Sequence, residues 1–153
     1  YVEYLLDTRM VSRVYKQGNS NKITKNSNPK YYFNDIGILN YFSKIPKIGH
    51  RIENLVFIEL QNRAGFSLPE NILYFEYVSS FDSKKCEVDF DVDGKLYEVK
   101  TLIDKETVIE LDKQYDILEK PVTVLYYTKT SDLHSRFALS VDVAKWLVSR
   151  DLS

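Results

Sequence analysis

The pair Asp93-Gly94, set between two runs that alternate apolar and polar side chains, constrains this chain more than any other feature. Asp-Gly in that setting is the strongest short-range signal for a two-residue hairpin turn. Counting outward places Val92 opposite Lys95, Asp91 opposite Leu96 and Phe90 opposite Tyr97. The next rungs are Asp89 opposite Glu98, Val88 opposite Val99 and Glu87 opposite Lys100. Side chains alternate faces along a strand, so Val88, Phe90, Val92, Tyr97 and Val99 are predicted to share a core face. Glu87, Asp89, Asp91, Glu98 and Lys100 gather on the other. Like charges directly opposite one another are destabilising, so Asp89 against Glu98 needs compensation, and a bound cation is one form of it. The alternative is a solvent face with a Glu87–Lys100 pair and unrelated acids.

The segments around the hairpin extend it into an α/β pattern. Val2, Leu5, Leu6 and Met10 are spaced for a helix, residues 11–16 read as a strand, and residues 30–33 as a returning strand. Between them, Gln17 to Lys30 is a polar loop rich in Lys, Asn and Ser. That order is similar to the end of a winged-helix unit, with Lys22, Lys25 and Lys30 along a wing that can touch phosphates. A solvated hairpin tip is the plainer reading. The chain opens at Tyr1 inside a helix-like segment and is expected to be part of something longer. Asp35 is placed to cap a short helix to about Phe42, and Pro46 then breaks the chain. The expected division is residues 1–45, the tail of a winged-helix-like unit with a linker, and residues 46–153, the main domain.

Within the main domain, Ile48 to Arg63 lacks Pro and strict alternation, and reads as a long helix closed by Gly65. Residues 72–78 form a strand, followed by a turn over residues 79–85 and the hairpin. Lys105 to Glu119 carries Val108, Leu111, Tyr115 and Leu118 at helical spacing, and Pro121 stops it. Residues 122–127 are a continuous apolar strand of the buried type, residues 137–141 a short strand, and Asp142 caps a last helix with Val143, Trp146 and Leu147. The order implies a mixed central sheet flanked by helices.

Composition narrows the function classes. With 44% hydrophobic and 28% charged residues the chain reads as globular, and a net charge of -1 announces no global basic field. The single Cys86 excludes an intramolecular disulfide, suits a reducing, cytoplasmic setting, and reads as a small buried hydrophobe. No run approaches the roughly 18 apolar residues of a membrane span, so no membrane partner is expected.

Two acids deserve chemistry. Asp89 and Glu98, with Lys100 on the same side of its strand, offer the hard oxygen ligands that suit Mg²⁺ or Mn²⁺. Glu53 has Val56, Phe57 and Leu60 as its helical neighbours. A carboxylate inside an apolar stripe must be paired, protonated or coordinated. The alternative is a partly exposed Glu, or one bridged to Arg51 or another base.

The pattern resembles the PD-(D/E)XK phosphodiesterase superfamily, with its restriction-endonuclease-like fold. The resemblance assigns Asp89 as the first acid, Glu98 as the second, Lys100 as the lysine and Glu53 as the helical Glu. It implies metal held by Asp89, Glu98 and Glu53 with the carbonyl of Val99 assisting, and Lys100 positioning the attacking water. The longer string Gly49-x-x-x-Glu53-Asn54-x-Val56-Phe57-x-Glu59-Leu60, with Glu87-Val88-Asp89-Phe90 and Glu98-Val99-Lys100, is similar to the C-terminal domain of bacterial and archaeal AAA+ (P-loop) ATPases. Tyr31-Tyr32-Phe33-x-Asp35-x-Gly37 matches the link ahead of that core. The resemblance implies a nuclease-like domain acting on nucleic acid, expected to be DNA, joined to an ATPase module outside this chain. Its alternative is a non-cleaving module that binds DNA or a protein. Val88 stands where the superfamily name has Pro. Gln114 reads as a surface residue, and His50 and His134 as structural.

Overall fold

The computed structural model describes residues 1–18, 28–43, 47–64, 71–78, 83–115, 118, 120–130 and 138–149. They form a mixed α/β protein of seven strands and five helices. No described helix is long and apolar enough to cross a membrane. Contacts divide the chain into two compact units, Tyr1–Tyr74 and Phe75–Ser153. Lys22, Lys25, Pro46, Gly65, His134 and the side chain of Gln114 lie outside the described residues.

The first unit holds α1 (Val2–Asp7), β1 (Val11–Lys16), β2 (Lys30–Phe33), α2 (Ile36–Phe42), α3 (Ile48–Arg63) and the start of β3 (Ile72–Val78). β1 pairs antiparallel with β2 and parallel with β3, the latter through Tyr15↔Leu73 and Lys16↔Tyr74. As its sequence suggests, Asp35 caps α2, its Oδ1 accepting from the Gly37 and Ile38 N–H groups at 2.6 and 3.1 Å. Helix α3 buries Ile52, Val56, Phe57 and Leu60. It also buries Asn54, whose side chain accepts from the Phe33 N–H and donates to the Phe33 carbonyl, both at 2.8 Å. A polar residue is affordable there because both its functions are satisfied.

The second unit contains β4 (Lys85–Val92), β5 (Lys95–Ile103), α4 (Lys105–Tyr115), β6 (Val122–Lys129), β7 (Ala138–Asp142) and α5 (Val143–Val148). Its strands run in the order β4-β5-β6-β7. The β4–β5 pair is antiparallel, and β5–β6 and β6–β7 are parallel. Helix α4 makes the crossover that a parallel pair requires. Asp104 starts it, accepting from the Thr107 N–H and hydroxyl at 2.8 and 2.7 Å. Val108 and Leu111 of α4 pack with Leu96, Val122 and Val124 on one side of this sheet. On the other, Trp146 of α5 lies 6.0 Å from the Tyr97 ring. The sheet of this unit is therefore flanked by helices on both faces. Helix α4 is described over Lys105–Tyr115, and residues 116, 117 and 119 of the expected helix lie outside the described residues.

Candidate functional site

The hairpin turn forms where Asp-Gly places it. Asp93 and Gly94 both adopt positive φ, 51° and 81°, the backbone a type I′ turn needs and Gly tolerates best. The Asp91 carboxylate, 4% exposed, accepts from the Gly94 N–H at 2.8 Å and ties the turn to its strand. From there the counted register holds through Val92↔Lys95, Asp91↔Leu96 and Phe90↔Tyr97.

At the next rung, side chains take over. The Asp89 N–H donates to Glu98 Oε2 at 3.3 Å, and the Val99 N–H donates to Asp89 Oδ2 at 2.9 Å. Each carboxylate thus reaches into the partner strand's backbone. Val88 is buried in the cluster of Leu96, Val122 and Val124. The alternative of a solvent-facing polar side does not hold at Glu98, which is 5% exposed.

Lys100 does not need Glu87 as a partner. Its Nζ lies 2.7 Å from Glu98 Oε1, on the same strand and face. Even so, Glu98 is pushed up to about 7, first by burial and then by the charge of Asp89, which together outweigh the opposing pull of Lys100. Burial pulls Lys100 down, but the carboxylates of Glu98, Asp89 and Glu110 outweigh it, so the ammonium is held above its ordinary value. Glu110, on α4, was not singled out in the sequence. Neither was Tyr77 of β3, whose shielded hydroxyl is raised by burial, by Cys86 and by Glu98. No motif marks either residue, because only the packing of α4 and β3 brings them near the acids.

Glu53 lies in the first unit. Its Oε1 accepts from the Tyr32 hydroxyl at 2.6 Å and faces Lys30 Nζ at 3.4 Å. This is the paired state that a carboxylate among apolar neighbours requires, with Lys30 rather than Arg51 as the base. Among the described residues no three His, Cys, Asp or Glu side chains form a group able to hold a metal ion. Asp89 and Glu98 supply two hard oxygen donors, which is within the range Mg²⁺ uses while keeping most of its waters. Burial and the Asp89 charge both disfavour the ionised form of Glu98, a cost that a divalent cation would relieve.

Comparisons with protein-family models, with curated proteins and with solved structures found no match for this chain.

Proposed function

We propose that Asp89, Glu98 and Lys100 form the centre of a metal-dependent phosphodiesterase acting on nucleic acid, with DNA the expected substrate. The observation that carries this reading is the convergence of two carboxylates where side chains replace hairpin rungs, with an ammonium 2.7 Å from one of them. The resemblance to the PD-(D/E)XK fold and to the nuclease-like domain of AAA+ ATPases supports it.

Asp89 and Glu98, with the Val99 carbonyl, would hold Mg²⁺ or Mn²⁺. Bound there, the ion supplies Lewis acidity and a water of lowered pKa. The chain's own residues do the rest. The N–H groups of Val99 and Asp89 aim the two carboxylates before any ligand arrives, so little reorganisation is needed. Lys100 keeps its proton, donates to Glu98, orients the attacking water and offsets charge developing on the phosphoryl oxygens. Glu53, assigned by the resemblance alone, enters the test as a separate variant.

A non-cleaving module that binds nucleic acid or protein is the second reading. It is favoured by charge: residues 75–153 carry eleven Lys and Arg against sixteen Asp and Glu, a net of -5. The test is cleavage of single- and double-stranded DNA and RNA with Mg²⁺ or Mn²⁺, beside Asp89→Ala, Lys100→Ala and Glu53→Gln. Cleavage lost in Asp89→Ala and Lys100→Ala supports the enzyme. No cleavage of any of these substrates with either ion leaves the second reading.

A further inference from the structure

The β1–β2 hairpin of the first unit packs one face inward; on the other, Val11 is buried beside Phe33 and Tyr31 is open. Tyr32 stacks on Phe57 of α3 at 4.7 Å, and Ser12 and Val14 are buried beside it. The opposite face carries Arg13 and Tyr15 of β1, with Tyr31 and Phe33 of β2. Arg13 is paired in register with Tyr31. Its guanidinium carbon lies 5.7 Å from the Tyr31 ring centre and 5.8 Å from that of Tyr15. Nη1 donates to the Tyr15 hydroxyl at 3.0 Å, and Nη2 is held by Glu3 at 2.5 Å. The guanidinium is thereby fixed as a flat cation among aromatic rings.

Despite these contacts, Tyr31 remains 45% exposed. The aromatic row continues past it. Phe33 stacks with Phe42 of α2 at 6.5 Å, and Tyr41 meets Phe42 edge-on at 5.2 Å. Tyr41 and Phe42 are 83% and 61% exposed. Open rings and an arginine plane on a sheet face are the means by which proteins stack single-stranded bases. Every base has a π-face, but a duplex hides it. The charge of the unit selects the same ligand. Residues 1–74 carry ten Lys and Arg against six Asp and Glu, a net of +4, which attracts a polyanion.

We propose that this outer face, centred on Arg13 and Tyr31, binds single-stranded nucleic acid by base stacking. The site lies wholly in the first unit and needs no metal, so it stands or falls apart from the reaction proposed for Asp89 and Glu98.

The experiment is fluorescence anisotropy of a labelled oligothymidylate with the whole chain, at low salt and in EDTA. The single strand binds, and a duplex of equal length binds more weakly. Tyr31→Ala weakens single-strand binding about tenfold, the loss expected for one stacked base. Tyr31→Trp retains it, which shows that the alanine effect is stacking and not misfolding. Unchanged binding by Tyr31→Ala, a preference for duplex, or no binding at low salt overturns the proposal. So does self-association abolished by Tyr31→Ala, which would make the face a contact between copies. A calorimetric Mn²⁺ titration of the whole chain reads Asp89 and Glu98 independently of each result, so the two readings fail separately.

Discussion

Replacing Glu98 with Gln tests the electrostatics of the carboxylate pair without any assumption about cleavage. Glu98 has an ordinary value of 4.5 and is pushed up to about 7 in the fold, by burial and then by Asp89. A raised carboxyl binds its proton more tightly folded than unfolded. Its contribution is therefore fully stabilising below 4.5 and is lost as pH rises through about 7. The difference corresponds to about 3 kcal/mol across that window. Glu98→Gln keeps the shape and removes the titration. In EDTA, wild type should lose about 3 kcal/mol relative to the variant between about pH 4.5 and pH 7. Urea unfolding followed by the emission of Trp146, the one tryptophan and 1% exposed, reads this directly. Adding Mg²⁺ above neutral pH should restore wild type, by about 2.7 kcal/mol at a hundredfold excess over Kd, and should leave Glu98→Gln unmoved. If the two proteins keep a constant difference across the window, the account of Glu98 as a strained, buried acid is wrong. If the pH effect holds but Mg²⁺ does nothing, the acids are strained for another reason and the metal reading goes.

Lys100→Met leaves Glu98 and Asp89 without their ammonium. It should lower stability by about 1–2 kcal/mol above neutral pH, less than a fully buried pair because Lys100 is partly exposed, and by less in acid. Thermal unfolding at both pH values checks it. Gly94→Ala forces a Cβ onto φ 81° and against Lys120 Nζ at 3.2 Å. The lysine tip can move, so the cost should be the backbone's, about 1–2 kcal/mol, read by chemical denaturation. Asn54→Leu strands the Phe33 N–H and carbonyl in a buried setting and should cost about 2–4 kcal/mol; the same change at exposed Asn40, in α2, should be close to neutral.

Much of the local architecture was legible because it is written in short-range chemistry. Asp93-Gly94 specifies its turn, Asp35 and Asp142 specify their caps, and the helix over Ile48–Arg63 follows from spacing. Each depends on neighbours within four residues. What was not legible depends on partners far along the chain. Nothing near Asn54 announces that Phe33 will need both its hydrogen bonds, and nothing near Glu53 announces Tyr32 and Lys30.

The hairpin shows the boundary between these two kinds of information within a single element. Register counted from the turn survives for three rungs, because backbone pairing propagates it. At Asp89 and Glu98 it meets two side chains that each take a backbone N–H across the pair, Glu98 from Asp89 and Asp89 from Val99. That outcome could not be counted from the turn, since it depends on the burial of Glu98, which the tertiary fold supplies. The oddity visible in the sequence, two acids facing each other, was nevertheless a true sign of it. Opposed charges of one sign are costly on a ladder that is otherwise well paired. They persist here with Lys100 on one side and with backbone donors in place of rungs, an arrangement that keeps two carboxylates close and aimed. A hairpin needing only stability would have placed a β-branched pair at that position. The metal-binding role proposed for the pair is a demand of that kind.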